Sequence, residues 1–326
     1  MKPAKITAVQ TRVVRWPIEP RGAARGAWHE RTAFILGVRT ADSGTGLGEA
    51  APLPGMSVDT LDDVMCECTA FADQLPIEIA HPDDVLRVAK RFAASAAARF
   101  AIETALVAAL AQRQQTSVAA LWTPRPLMQL RLAAVVDTAD DAQRAIAAGY
   151  TCLKIKAASP DRVLQIATAA PGIRLRVDAN RTWPRAKTIA WLAQLAELPV
   201  DYVEEPCPDA HELLRESLPC GIALDESLVA LAAADLDRAL DSPSLAALVL
   251  KPTLLGGFGR CLELAALAQR RGVAPITSHA LEGPIGTCAC FELAGAIAAD
   301  VPVGLAAHPA LDHFAEATEI YASEAR

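Results

Sequence analysis

No apolar run in this sequence approaches the roughly 20 residues needed to cross a bilayer, and its opening "MKPAKITAVQTRVVRW" lacks the apolar centre of a secretory signal. A cytoplasmic enzyme or binding protein without a membrane partner is the expectation. The chain also lacks a basic excess. Its 31 Lys and Arg stand against 38 Asp and Glu, a formal net charge of -7, whereas a nucleic-acid surface normally carries the opposite imbalance. The most basic stretch, "RGAARGAWHER" with Arg21, Arg25 and Arg31, reads as a solvated loop or as a lid that meets an anionic small molecule. A zinc-type cysteine pattern is missing too. Cys66 with Cys68, and Cys288 with Cys290, form C-x-C pairs without the two-residue gap or the partner pair of a typical zinc site. Buried free thiols are therefore expected.

What remains is ample core material: 326 residues, 52% of them hydrophobic, which is too long for one ordinary domain and too apolar for disorder. Residues 1–115 read as an α+β unit of their own. Two extended runs, "KITAVQTRVVRW" and "TAFILGVRT", and the segment "LGEAAPLPGMS" after the turn "ADSGTG" predict a small antiparallel sheet. Two helical stretches follow, "SVDTLDDVMCECTAFADQL" with Ser57 as N-cap and the Ala-rich "ASAAARFAIETALVAALAQRQ".

From residue 116 the pattern changes to short apolar strands alternating with helices. Eight strands are predicted: "MQLRLAAVV", "CLKIKA", "IRLRVDA", "DYVEEP", "GIALDE", "ALVLKP", "APITSH" and, weakest, "VGLAAHP". The polar ends of the second to seventh fall at Lys156, Asp178, Glu204, Asp225, Lys251 and Ser278, spaced 22, 26, 21, 26 and 27 residues apart. A strand, a helix and two loops need about that length, so the period reads as repeated βα units closing into a barrel over 116–308. A doubly wound open sheet is the weaker alternative, because no Gly-rich phosphate turn follows the first strand. The tail 309–326 is expected to return to the N-terminal unit.

In "TCLKIKAA", alternation points Lys154 and Lys156 to one face of a buried strand. Isolated buried charges cost several kcal/mol or more, so something negative must face them. On the third strand, Arg176, Asp178 and Asn180 share the inward face. Glu204 and Glu205 point to opposite sides of the fourth, as do Asp225 and Glu226 on the fifth. Any one of these acids is explained by a structural salt bridge with a lysine. Asp178, Glu204 and Asp225 at equivalent strand ends, with no His or Cys among them, instead offer hard oxygen ligands that suit Mg²⁺. Such a metal stabilises the enediolate formed when a bound carboxylate loses its neighbouring proton, and a neutral lysine collects that proton. Lys154, as a cationic neighbour, lowers the pKa of Lys156; Lys251 reaches the opposite face from across the barrel.

The ordered set "LKIKA", "VDANRTW", "VEEP", "LDES" and "LKPTLLGG" resembles the enolase superfamily, and the two-lysine arrangement resembles its muconate-lactonising-enzyme-like subgroup. The pairing of a lysine base with Mg²⁺ in that superfamily is general knowledge. "GLGEAAPLPGMSVDTLDD", "ARFAIETAL", "RVDANRTW" and "EEPCPD" are most similar to the o-succinylbenzoate synthase family. The resemblance implies an α/β fold: a modified TIM barrel, (β/α)7β, under an N-terminal α+β capping domain. It implies Lys156 as acid/base catalyst, Lys154 as its modulator and Lys251 as the opposing cation. Asp178, Glu204 and Asp225 match the metal ligands, with Glu205 and Glu226 supporting them from behind. The reaction implied is syn dehydration of a succinyl cyclohexadiene carboxylate in menaquinone biosynthesis.

For the second carboxylate of such a substrate, Ser278 and the turn at Gly283 in "TSHALEGPIG" are the expected donors, with Arg176 and Asn180 as further substrate or ligand-orienting residues. His279 and His308 read as hydrogen-bonded structural residues, and no His/Asp pair of the racemase type is found. The basic loop at Arg21, Arg25 and Arg31 is placed where the cap closes over the site. Within the superfamily, N-succinylamino acid racemisation, dipeptide epimerisation and muconate cycloisomerisation draw on the same residues. A Schiff-base aldolase is a different class, distinguished by borohydride trapping and by indifference to chelators. A catalytically silent binding barrel is a third, at odds with six retained polar strand ends.

Overall fold

The computed structural model describes residues 2–18 and 29–306, so Arg21, Arg25, His308 and the expected tail 309–326 lie outside the described residues. Four strands form the antiparallel N-terminal sheet in the order β3-β2-β1-β4: β1 (Ala4–Pro17), β2 (Glu30–Thr40), β3 (Thr45–Ala50) and β4 (Ile77–Ile79). Helices Leu61–Ala72, Pro82–Phe92 and Ala96–Gln114 cover one face. The short strand β4 and the helix Pro82–Phe92 were not anticipated, although Pro82 in the first turn followed by Asp83 and Asp84 is a helix-start pattern.

The expected cap at Ser57 is corrected. Thr60 caps the helix, its hydroxyl accepting from the Asp63 N–H at 3.2 Å while the Asp63 carboxylate accepts from the Thr60 N–H at 2.9 Å. Ser57 instead accepts from the Leu53 N–H at 2.8 Å, closing the loop after β3. The long helix lies directly on β3. A methyl at Gly46 would stand 2.0 Å from the Ala105 carbonyl and one at Gly48 1.9 Å from the Ala101 carbonyl, so "TGLGEA" admits the helix backbone where any larger residue would hold it off.

Seven parallel strands form the second sheet: β5 (Ala134–Val136), β6 (Cys152–Lys156), β7 (Arg174–Asp178), β8 (Val200–Glu204), β9 (Ile222–Leu224), β10 (Leu245–Leu250) and β11 (Ala274–Thr277). Each pairs with its sequence neighbour, as repeated βα units require. The eighth stave is reduced to Val303 and Gly304, which bridge to Leu132 before β5 and to Ser278 after β11. Three hydrogen bonds seal it: Val303 N–H to Arg131 O at 2.8 Å, Ala133 N–H to Val303 O at 3.0 Å, and Gly304 N–H to Thr277 O at 2.8 Å. This is the (β/α)7β barrel. The first strand begins later than predicted, at Ala134, where its pairing with β6 starts.

Alternation sorts the barrel side chains. Leu153, Ile155, Leu175, Val177, Val203, Ile222 and Leu224 pack outward against the helices, while Tyr202, Ala223, Ala247, Val249 and Ile276 fill the interior. All eight cysteines are free; six are buried as expected, but Cys66 and Cys288 are exposed. Among the described residues no helix is long and apolar enough to cross a membrane.

Candidate active site

The register of β6, β7 and β8 places Lys156, Asp178 and Glu204 side by side in one row, with Lys154, Arg176 and Tyr202 in the row beneath. Asp225 and Lys251 follow immediately after β9 and β10 and continue the upper row around the barrel. Five ionisable groups therefore meet at the C-terminal mouth. Asp178, Glu204 and Asp225 are 7%, 1% and 5% exposed, too buried to remain charged without partners.

Two lysines supply those partners. The Lys154 ammonium stands 3.0 Å from Asp178 Oδ2 and 2.8 Å from Glu204 Oε2, and Lys251 pairs with Asp225. Burial disfavours charge on Lys154, but Asp178 and Glu204 outweigh it and hold its pKa well above the ordinary lysine range. Lys251 is likewise held up against burial by Asp225 and Glu204. Lys156 differs: among the described residues no carboxylate stands within ion-pair distance of its ammonium. Burial lowers its pKa, assisted by the cations of Lys154 and Lys251, although Asp178 opposes the shift. Burial and the neighbouring Asp178 push Glu204 up, and burial does the same to Asp225. Asp178 ends below the usual carboxylate range, since three lysines together overcome its burial.

The loops hold these side chains tightly. The Ala157 N–H donates to Asp178 O at 3.0 Å and Trp183 Nε1 donates to Ala157 O at 2.8 Å, tying the end of β6 to the loop after β7. Asn180, Arg181 and Glu205 have φ of 47°, 60° and 41°, a left-handed conformation that costs non-glycine residues roughly 1–3 kcal/mol each. The Asn180 N–H donates to Asp178 Oδ1 at 3.1 Å, so Asn180 orients that carboxylate through its backbone. Glu205, fully buried, collects the Asp225 N–H at 2.9 Å, the Ser227 N–H at 2.8 Å, the Ser227 hydroxyl at 2.9 Å and Arg181 Nε at 3.0 Å. One carboxylate thus fastens the loops that carry Asp178, Glu204 and Asp225. Glu226 faces Arg181 at 3.9 Å, and burial pushes its carboxyl up. Arg181 and Ser227 stand in the quoted motifs, but only the folded loops reveal what they join.

Three of the expected substrate contacts have partners within the protein. Arg176 is 2% exposed and points away from the mouth, with Nη1 donating to Pro302 O at 2.6 Å, Nε to Asp201 at 3.3 Å, and the guanidinium 5.2 Å from the Tyr202 ring centroid. The Ser278 hydroxyl donates to Gly304 O at 3.1 Å and so helps close the barrel. The Gly283 N–H donates to the buried carboxylate of Glu49 on β3. Arg31 is not on a lid. It lies on β2, 1% exposed, and donates to Ala51 O at 2.7 Å, Pro52 O at 2.8 Å and Leu281 O at 3.1 Å. His279 Nδ1 accepts from the Leu281 N–H at 3.2 Å, a structural bond.

Among the described residues no three His, Cys, Asp or Glu side chains form a ready-made metal cluster; Lys154 and Lys251 stand between the acids instead. The donor set nevertheless suits a hard dication: three buried carboxylates stand at successive strand ends, and every donor among them is oxygen.

The barrel and its row of strand-end acids and lysines define a class. The description "Mandelate racemase / muconate lactonizing enzyme, N-terminal domain" matches residues 6–122, and "Enolase C-terminal domain-like" matches residues 137–321. The chain belongs to the enolase superfamily and is an enzyme of that group. Within it, the chain is 32% identical to an o-succinylbenzoate synthase of Thermosynechococcus vestitus over 87% of either chain. In fold it is similar to a dipeptide epimerase from Methylococcus capsulatus, complexed with Mg and the dipeptide L-Arg-D-Lys, at TM-score 0.81 and 23% identity over 95% of this chain and 92% of that one. It is also similar to MenC from Desulfotalea psychrophila at TM-score 0.73 and 23% identity over 94% and 96%.

Proposed function

We propose that this enzyme is an o-succinylbenzoate synthase, a Mg²⁺-dependent hydro-lyase that removes water from a cyclohexadiene carboxylate bearing a succinyl chain. The observation that carries the reading is the placing of Lys156 and Lys251 on β6 and after β10, on opposite sides of the Asp178, Glu204 and Asp225 carboxylates. The identity to the cyanobacterial synthase supports it.

Asp178, Glu204 and Asp225 would hold Mg²⁺, with Glu205 fastening their loops. When bound, Mg²⁺ supplies a Lewis acid that stabilises negative charge on the substrate carboxylate as its neighbouring carbon loses a proton. Lys156, with no carboxylate in ion-pair distance among the described residues and with its pKa lowered by burial, takes that proton as the neutral amine. The same ammonium then returns it to the departing hydroxyl on the same face, which makes the elimination syn. Lys154 stays protonated on Asp178 and Glu204, biasing Lys156 toward the free amine by charge repulsion. Lys251 stays cationic and faces the developing ring from the other side.

A racemase or epimerase reading draws on the same pair of lysines. It needs Lys251 to exchange a proton on the face opposite Lys156, whereas the dehydration uses Lys251 only as a cation. The experiment is o-succinylbenzoate formation from the cyclohexadiene substrate with and without Mg²⁺, beside Lys156→Ala. Turnover that requires both supports the assignment. Failure to dehydrate that substrate, together with Cα deuterium wash-in on an N-succinylamino acid or a dipeptide, overturns it.

A further inference from the structure

Two buried carboxylates of the N-terminal unit enter the barrel away from the strand-end row. Glu103, 2% exposed in the helix Ala96–Gln114, accepts from the Gly259 N–H at 3.2 Å at the start of the helix Gly257–Arg270. Gly257 has φ of 92°, and a methyl there would lie 2.3 Å from Glu103 Oε2, so this glycine leaves room for the carboxylate. Glu49, fully buried at the end of β3, accepts from the Gly283 N–H and, at 2.8 Å, from the Gly286 N–H at the start of the helix Pro284–Ile297. Each carboxyl group accepts from backbone N–H groups at the first turn of a helix.

These two helices follow the loops that matter most on this side of the mouth. The chain from Lys251 to Gly259 is short and internally bonded, with Leu254 N–H and Leu255 N–H both donating to Lys251 O at 3.0 Å. A strut joins the two loops, because the Thr253 hydroxyl donates to Glu282, whose other oxygen accepts from the Ala280 N–H. Arg31 adds a clamp on Ala280 and Leu281 from β2. The chain that ends in the Lys251 ammonium is therefore held directly at Gly259 and indirectly through Thr253, both times by residues of the N-terminal unit.

We propose that Glu103 and Glu49 are positioning residues that hold Lys251 in its place opposite Lys156, so that the N-terminal unit, although it carries none of the row's reactive groups, sets the alignment across the site. The proposal rests on the reading of Lys251 as the opposing cation. A carboxylate merely filling the interface would affect global stability and leave both the loop and turnover unchanged.

The test uses the full-length, Mg²⁺-loaded enzyme and the variants Glu103→Gln, Glu49→Gln and Thr253→Val, the last cutting the strut without touching either interface carboxylate. Hydrogen exchange is measured without substrate, and steady-state kinetics with the cyclohexadiene carboxylate. In Glu103→Gln the amides of 253–259 should exchange about tenfold faster while those of β1 and β2 keep their rates. Turnover should fall about tenfold with KM within about twofold, the signature of misplaced catalytic geometry rather than lost binding. Glu49→Gln should loosen 280–286, and both it and Thr253→Val should lower kcat in the same sense. Unchanged exchange at 253–259, or faster exchange with wild-type kcat, overturns the proposal. A wild-type enzyme that forms no o-succinylbenzoate sinks the assigned reaction alone, and the exchange rates still decide whether the two carboxylates hold the loop.

Discussion

Replacing Glu103 by Gln should remove a pH dependence from the stability of the whole fold. Burial raises the Glu103 carboxyl from 4.5 to about 8, more than its bonds to the Phe258 and Gly259 N–H groups and the nearby Arg99 can lower it. The folded state thus prefers the protonated form. Its stabilising contribution is complete below the unfolded value of 4.5, declines as the pH rises, and is exhausted above about 8. The 3.5 units between 4.5 and about 8 correspond to about 5 kcal/mol in full, at about 1.4 kcal/mol per unit. Roughly 2 kcal/mol of that is lost between pH 6 and pH 8. For a chain of this length each kcal/mol moves Tm by about 2 °C. The Tm of the wild type should therefore fall relative to Glu103→Gln by about 4 °C from pH 6 to pH 8, measured by calorimetry at fixed Mg²⁺. Other buried groups, including Glu49 at about 7, cancel in the comparison because both proteins contain them. Two curves that stay parallel to within about 1 °C would refute the assignment of that titration to Glu103.

Glu205→Gln should weaken Mg²⁺ binding by about 10–100-fold in isothermal titration, since one carboxylate fastens Arg181, Asp225 and Ser227 behind the acids. Lys251→Arg, which keeps the cation but not a usable amine, should retain measurable dehydration in the direct assay; complete loss would show that Lys251 exchanges protons. Lys156→Ala should lower kcat by about 10²–10⁴-fold while Mg²⁺ still binds, because the acids remain. Arg31→Met should destabilise the fold by about 3 kcal/mol in urea titration, since it leaves four carbonyls and two buried acids without their cation.

The strand ends were readable because strand periodicity is local. Once "CLKIK" and "RLRVD" are strands, Lys154 with Lys156 and Arg176 with Asp178 must share a face, whatever surrounds them. The even spacing of the strand ends likewise indicated repeated βα units, which a barrel and a doubly wound open sheet share. Direction within a face is another matter. Arg176 shares its face with Asp178 but turns to Asp201 and Pro302, because an acid and a carbonyl wait one layer down. Ser278 and Gly283 looked free to meet a ligand for the same reason: Gly304 O and Glu49, their partners, lie 26 and 234 residues away along the chain. Glu103 was not singled out in "ARFAIETAL", since nothing nearby in the chain indicates that it belongs to Gly259, 156 residues on.

By itself, then, the amino-acid order determined which side chains stand at the barrel mouth and that they must neutralise one another, since both follow from a two-residue period and the expense of burying charge. Only the tertiary structure decided the partners: Lys154 on Asp178 and Glu204, Lys251 on Asp225, Lys156 left over, and the loops beyond them anchored on Glu49 and Glu103. Hydrogen bonds and ion pairs act over about 3–4 Å, and which groups come that close is a property of the closed chain, which no local pattern encodes.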